Sequence, residues 1–276
     1  MKDMKIILIT GASSGMGYET ARILAQQGHR VYGAARRVEK IRELEQYGVR
    51  ALPMDVTDEE SMRQAVQTLI EREHRIDVLI NNAGYGYFGA IEDVPIKDAK
   101  RQFEVNIFGL ARLTQFVLPY MRAQRSGRIV NTASVAGHVT FYFGAWYHAT
   151  KYALEAFSDA LRMEVRPYGI DVVIIEPGAI QTAWGLIAAD HLRDSAKGGP
   201  YEDEALKAAT GLRRMYEGKG LTDPAVISRK IARAAVCARP RTRYLTGRGA
   251  KLFVVLHALL PTRWWDRIVT FSMTHI

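Results

Sequence analysis

A chain of 276 residues with 48% hydrophobic composition is long enough to bury a three-layer core and short enough to be one domain. Its single cysteine, Cys237, excludes an internal disulfide and any cysteine-rich metal site, and fits a reducing, cytoplasmic setting. The formal charge of +9 does not indicate a nucleic-acid partner: from Arg239 to Ile276 six Arg and one Lys face one Asp, net +6, which leaves +3 for everything before.

The N-terminus, Met1 to Lys5, runs straight into an apolar strand with no secretory signal. Runs rich in β-branched residues predict six strands: Lys5 to Thr10, His29 to Ala35, Val49 to Met54, Asp77 to Ile80, Gly127 to Ala133 and Ile170 to Glu176. Between them, about Gly15 to Gln27, Asp58 to Glu73, Lys97 to Arg125 and Tyr147 to Pro167 repeat apolar residues every three and four positions, as helices covering a sheet do. The strands are apolar at nearly every position, so both sheet faces must be buried. The expected fold is therefore α/β: a doubly wound parallel sheet in three α/β/α layers, one domain over residues 1–276.

Two late segments stand apart. Residues 181–221 carry glycine breaks at Gly198-Gly199-Pro200 and Gly218-Lys219-Gly220 around helix-competent stretches, which predicts a mobile substrate lid. Residues 249–276 form a C-terminal extension. In it Leu252, Phe253, Val255, Leu256, Leu259 and Leu260 give an apolar face before Pro261, and Trp264-Trp265 precede Arg267. From Gly249 to Phe271 this predicts an amphipathic segment that rests on an anionic membrane surface, caps the pocket, or simply completes the core. No stretch approaches the roughly 18 apolar residues of a membrane span.

The first strand ends in Thr10-Gly11-Ala12-Ser13-Ser14-Gly15-Met16-Gly17 and enters a helix. Glycines permit the tight turn and a close backbone approach to a pyrophosphate, and the helix N-terminus offers free N–H groups to it. The second strand ends in Ala35 where a ribose-binding acid would stand, and Arg36-Arg37 follow. Guanidinium groups clamp a 2′-phosphate that an acid would repel, so NADP(H) is expected in preference to NAD(H); the alternative is two arginines that meet only water.

Gly11-x-x-x-Gly15-x-Gly17, Asn81-Asn82-Ala83-Gly84, Ser134 and Tyr147-x-x-x-Lys151 together resemble the signature set of the short-chain dehydrogenase/reductases, with order and spacing kept from about Met4 to Thr182. The resemblance implies that Asp55 and Val56 hold the adenine, that Asn82, Ala83 and Gly84 line the cofactor groove, and that Pro177, Gly178, Ile180 and Thr182 meet the nicotinamide end. It implies that Ser134 polarises the substrate oxygen, that Tyr147 transfers the proton, that Lys151 binds the nicotinamide ribose, and that Asn106 keeps a water for a proton relay. It also implies a homo-oligomer, dimer or tetramer, formed through the helices near 97–125 and 147–167. The extended C-terminus makes the chain similar to hydroxysteroid and retinol dehydrogenases within that family.

Tyr147 and Lys151 lie one helical turn apart and share a face, yet such a pair taken alone is more often surface decoration. To act as a base near neutrality a tyrosine must fall by about three units, roughly 4 kcal/mol, and one ammonium at about 4 Å supplies that order of energy. Asn106 in its apolar helix is either a satisfied core amide or functional, and Ser134 by itself is an ordinary strand-end residue. No nucleophile apparatus accompanies Ser134, and His138 and His148 read as pocket-wall or surface residues rather than catalysts. No spacing predicts a metal site. Phe141, Tyr142, Phe143, Trp146, Trp184 and Leu186 suggest an apolar pocket for a carbonyl or alcohol substrate of steroid, retinoid, fatty or aromatic type. A non-catalytic NADP(H)-binding sensor or scaffold is the alternative from another class. A sugar-nucleotide epimerase or dehydratase would need a larger C-terminal domain than the residues after Pro177 provide.

Overall fold

The computed structural model describes residues 3–274, so Met1, Lys2 and the last two residues of the C-terminal extension lie outside the described chain. Strands β1 (Ile6–Thr10), β2 (Arg30–Ala35), β3 (Val49–Pro53), β4 (Val78–Asn81), β5 (Gly127–Thr132), β6 (Ile170–Pro177) and β7 (Arg243–Thr246) form one parallel sheet in the order β3-β2-β1-β4-β5-β6-β7. The helices are α1 (Gly15–Gln26), α2 (Val38–Arg42), α3 (Glu59–Glu73), α4 (Ile96–Phe103), α5 (Leu110–Gln124), α6 (Ala145–Val165), α7 (Trp184–Ser195), α8 (Glu202–Glu217), α9 (Pro224–Val236), α10 (Ala250–Leu259) and α11 (Thr262–Thr274). All six expected strands are present, each with ends shifted by no more than a residue.

Alternation along the strands makes the layers. Ile7, Ile9, Val31 and Val173 bury against Leu24 of α1 and Ile227 and Ile231 of α9. Ile6, Leu8, Tyr32 and Val172 point the other way, onto Leu69, Leu113, Val117 and Leu161 of α3, α5 and α6. Every residue of β1 is buried, which is why its sequence reads as an unbroken apolar run. The order in which strands are added reverses between β1 and β4, the switch point at which a doubly wound sheet opens a crevice beyond its strand ends.

Four features depart from or refine the sequence expectation. The helix expected over Lys97 to Arg125 is interrupted: a π-helical turn, Glu104–Gly109, joins α4 to α5 and carries Asn106. At Gly109 a Cβ would lie 2.0 Å from the Val56 carbonyl oxygen, so glycine alone lets the loop after β3 rest there. Residues 181–221 are a helical hairpin, α7 and α8, with Ala188, Ala189, Leu192, Ala205 and Ala208 buried between them. The C-terminal segment is two helices divided at Pro261, of which α11 buries Trp265 and Val269 and α10 buries Ala250 alone. A seventh strand, β7, extends the sheet beside β6.

β7 brings a charge to a buried place. Arg243 pairs with Glu176 Oε1 (3.0 Å), Glu155 Oε2 (3.0 Å) and Asp159 Oδ2 (2.8 Å), while His138 Nε2 lies 3.0 Å from the same Glu176 oxygen. Glu155 and Glu176 are nearly inaccessible, so the guanidinium is the counter-charge that makes two neighbouring carboxylates tolerable. Burial, then the Glu176 charge, still push the Glu155 carboxyl up to about 7. The hydrogen bond to Glu176 holds the His138 imidazole above its ordinary value. Donor atoms of His138, Glu155 and Glu176 gather within 4.8 Å of one another, a grouping that their distances in sequence do not announce. Removing the guanidinium strands two buried acids, so Arg243→Ala is expected to lower the unfolding free energy by about 3 kcal/mol. Urea denaturation followed by circular dichroism measures this, and a loss within the range of an exposed ion pair would show that the cluster is solvated.

Candidate active site

The crevice at the β1/β4 switch is built by main-chain contacts around three side chains. Thr10 Oγ1 accepts N–H bonds from Asn82 (3.0 Å) and Ala83 (2.9 Å), tying the end of β1 to the loop after β4. Asn82 Nδ2 donates back to the Thr10 carbonyl at 3.2 Å. Gly17 closes this corner, because a Cβ there would stand 2.4 Å from the Gly11 oxygen and 2.5 Å from Asn82 Nδ2. Gly11 and Gly15 both take left-handed backbone, φ 68 and 56.

Helix α1 begins here with its donors free. Its N-cap, Ser14, makes no side-chain capping bond and its first turn contains no acid, whereas α3 is capped by Asp58 through bonds to Glu60 and Ser61 N–H. An uncapped N-terminus facing a glycine cradle fits a dinucleotide pyrophosphate. Ser13 and Met16 complete the turn. Arg36 and Arg37, at the end of β2, are exposed and have no ion-pair partner among the described residues, so their guanidinium groups can meet a 2′-phosphate. Asp55 turns its carboxylate onto Thr57 N–H and Oγ1, at 3.0 and 2.9 Å, with Val56 half-buried beside it. On the far side, the Gly178 N–H donates to the Thr246 carbonyl (2.8 Å) and Ile180 bridges to Thr222, so Pro177 to Thr182 are held by β7 and the end of the hairpin. The expected cofactor residues therefore line one continuous edge of the sheet.

Tyr147, the expected acid/base group, lies at the start of α6. Tyr147 and Lys151 stack on one helical face, with Lys151 Nζ 5.8 Å from the tyrosine ring centroid. Ser134, at the end of β5, caps the short turn Val135–Gly137 through Ala136 N–H and approaches the Pro177 carbonyl at 3.3 Å. Burial pushes the Tyr147 hydroxyl up to about 12, and a hydrogen bond with Ser134 pulls the other way. Burial lowers Lys151 to about 8, opposed by the charge of Glu155 one turn further along. Lys151 Nζ donates to the Thr132 carbonyl at 2.9 Å. Burial thus acts on Tyr147 against the fall toward neutrality expected from Lys151 and an oxidised nicotinamide together, and Lys151 Nζ is engaged by backbone.

Asn106 acts as a clamp. Its Oδ1 accepts from Tyr85 N–H (3.1 Å), and its Nδ2 donates to the Tyr85 carbonyl (2.9 Å) and to Thr150 Oγ1 (3.1 Å), which in turn donates to the Tyr147 carbonyl (2.8 Å). A Cβ at Gly84 would lie 3.1 Å from Asn106 Oδ1 and 3.9 Å from Lys151 Nζ, so the oxygen and the ammonium border the same small space.

Aromatic residues wall the site. The Trp184 ring lies 5.0 Å from that of Tyr147 and 5.8 Å from that of Phe88, and leaves Tyr147 8% exposed. Gly86 makes room for the indole, since a Cβ there would meet Trp184 at 2.3 Å. Phe143 holds φ 60, a strained value for a phenylalanine, at the corner that delivers α6. His148 accepts from Phe141 N–H at Nε2 (3.1 Å) and faces the Ala136 carbonyl through Nδ1 (3.1 Å), which fixes a neutral ring with its proton on Nδ1. Both ring nitrogens are thereby engaged by backbone. Thr10, Thr132, Phe88 and Glu155 had not been singled out; of these only Glu155 left a trace in the sequence, as an acid on the buried face of an apolar helix.

The comparisons with known proteins agree with this geometry. Residues 5–187 match the family model described as short chain dehydrogenase. The chain is 36% identical over 261 residues, 95% of each chain, to a probable short-chain type dehydrogenase/reductase, VdlC, of Helicobacter pylori. It is 43% identical over 202 residues to a 3-ketodihydrosphingosine reductase of Bacteroides thetaiotaomicron, covering 73% of this chain and 72% of that one. Among solved structures, a short-chain dehydrogenase from Streptomyces avermitilis superposes with a TM-score of 0.80 at 33% identity, covering 99% of this chain and 97% of the other.

The state of His148 has a consequence for acid stability. Burial lowers its imidazole from 6.5 to about 4, so as the pH falls the unfolded chain takes up the proton first. Stability that is complete above about 6.5 is lost toward about 4, on the order of 3 kcal/mol. Urea unfolding across this window should show the slope in the wild type and a flatter profile in His148→Gln. Equal slopes would place the acid sensitivity elsewhere.

Proposed function

The chain belongs to the short-chain dehydrogenase/reductase family, and from that premise we propose that it is an NADP(H)-dependent ketone reductase acting on an apolar, lipid-like substrate. The observation that carries this reading is the convergence of Ser134, Tyr147 and Lys151 beside an uncapped glycine turn, under a lid of aromatic side chains. Bound NADPH would supply the hydride. The proton is the chain's own contribution: Tyr147, held at about 12, carries it at neutral pH and would donate it to the ketone oxygen that Ser134 orients. By microscopic reversibility the same hydroxyl, once deprotonated, would serve as the base in alcohol oxidation. Lys151 would hold the nicotinamide ribose, and with Asn106 would hold a water that returns a proton to Tyr147.

The substrate class rests on the pocket walls and on one relative. Phe88, Tyr142, Phe143 and Trp184 offer apolar surface and few hydrogen-bond partners, which favours a ketone on a hydrocarbon body. The 3-keto reductase named for the Bacteroides relative supports a fatty rather than a steroid or retinoid skeleton. Because Trp184 covers Tyr147, the hairpin of α7 and α8 would act as the lid, shifting to admit substrate. Exposed Phe108, Tyr152 and Met163, on the π-helical turn and α6, support a homo-oligomer through that face.

NADPH absorbance across a panel of fatty, steroid and aromatic ketones tests the reading; tight NADPH binding with no turnover on any of them would favour a sensor or scaffold instead. With a turned-over ketone, Tyr147→Phe should keep its NADPH affinity and lose about a thousandfold or more in kcat, and substantial residual turnover would remove Tyr147 from the proton transfer. Arg36→Ala should weaken NADPH about tenfold or more while leaving NADH within about threefold, as titration by intrinsic fluorescence would show. Equal losses for both cofactors would dismiss the phosphate clamp.

A further inference from the structure

The outer face of the C-terminal helices is not used by the site. On α10, Leu252, Val255, Leu256 and Leu259 fall at i, i+3, i+4 and i+7, and are 61, 51, 38 and 76% exposed. On α11 the two tryptophans divide the work. Trp265 is buried, with Nε1 donating to the Thr140 carbonyl at 3.2 Å, while Trp264 and Ile268 are 63 and 49% exposed on the opposite side. The helix is therefore anchored through one apolar face and shows another to solvent. Arg248, Lys251, Arg263 and Arg267 surround this surface, all exposed and all without an ion-pair partner among the described residues, and Asp266 is the lone acid of the two helices.

We infer that the α10/α11 face is a docking surface for an anionic lipid bilayer, lying flat in the headgroup region with Leu252, Val255, Leu259, Trp264 and Ile268 inserted. Large apolar side chains exposed along a helix face are seldom left to water, and both helices carry exposed cations beside them. The charge decides among occupants. A second copy meeting the first across a two-fold axis would bring the same four cations against themselves, whereas lipid phosphates neutralise them. An aromatic indole beside guanidinium groups suits the boundary between acyl chain and headgroup. Crossing is excluded for these helices, since among the described residues no helix is long and apolar enough to span a membrane. The attachment is rigid: Trp265 belongs to a cluster with Val135 and Val139, next to Ser134, and Phe253 meets Phe141 at 6.1 Å. A docked enzyme would thus hold its substrate wall directly above the lipid. The docking does not depend on the identity of the substrate.

The test is co-sedimentation of the full-length protein with vesicles of phosphatidylcholine alone, or of phosphatidylcholine and phosphatidylglycerol at about 2:1. Binding to the anionic vesicles and not to the neutral ones is expected at low salt. The combined change Leu252→Gln, Val255→Gln and Leu259→Gln should weaken it by about a hundredfold or more. Lys251→Glu with Arg263→Glu and Arg267→Glu should do so by a similar factor. Both variants should keep the wild-type melting temperature and NADPH affinity. If either fails to fold, quenching of the wild-type tryptophan fluorescence by phospholipids brominated in the acyl chain reports insertion of Trp264 without any substitution. A wild type that ignores anionic vesicles, or one that binds without quenching, overturns the proposal. A glutamine variant that binds as the wild type does, or that only converts a larger assembly to monomer, overturns it as well, the last by showing that the face joins copies of the chain.

Discussion

The hydroxyl of Thr10, by accepting N–H bonds from both Asn82 and Ala83, fixes the distance between the two strand ends at which the strand order reverses. Everything that the crevice offers follows from that clamp. It positions Asn82 to reach back over Gly11, it makes a Cβ at Gly17 impossible, and it leaves the N-terminus of α1 uncapped toward the space between the strands. A parallel sheet buried on both faces has few places for polar groups along its strands, so the polar groups that meet a ligand gather beyond its strand ends.

Behind this edge runs a chain of buried amides and hydroxyls. Asn81 Nδ2 donates to Asn131 Oδ1 at 2.9 Å, and Asn131 Nδ2 to Ser158 Oγ at 2.9 Å, so β4, β5 and α6 are joined in sequence. A second pair, Asn106 and Thr150, ties the π-helical turn to the Tyr147 carbonyl. Such groups are costly when unpaired and specific when paired, which makes α6 a fixed platform rather than a helix free to slide. The π-helical turn serves the same end, since it carries Asn106 where the amide spans Tyr85 and Thr150 together.

Charge is organised around that platform in two directions. Toward the crevice, burial lowers Lys151 and raises Tyr147, so that the proton stays on the phenol. Toward the interior, Glu155 faces Arg243, a cation delivered by the last strand of the sheet from nearly ninety residues downstream. The later part of the chain therefore reaches this region twice, through Trp184 of α7 beside Tyr147 and through the counter-charge of Arg243 on β7.

The sequence by itself determined the first six strands, the doubly wound fold and the glycine turn that opens the crevice. Two-sided burial forces continuous apolar runs, and a turn that approaches a backbone closely must spell out its glycines at fixed spacing. Only the tertiary structure decided the rest. β7 is four half-buried residues led by an arginine, and pairs because β6 has an open edge, not because Arg243 to Thr246 favour a strand. Lys151 is engaged by a carbonyl of Thr132, and main-chain acceptors carry no side-chain signature. The high value of Tyr147 comes from the indole of Trp184 and its neighbours excluding water, a property of packing between segments far apart in the chain. The tail shows the division most plainly. Its sequence displayed the apolar residues and the cations, but which tryptophan is anchored and which faces outward was settled only when α11 packed against the fold.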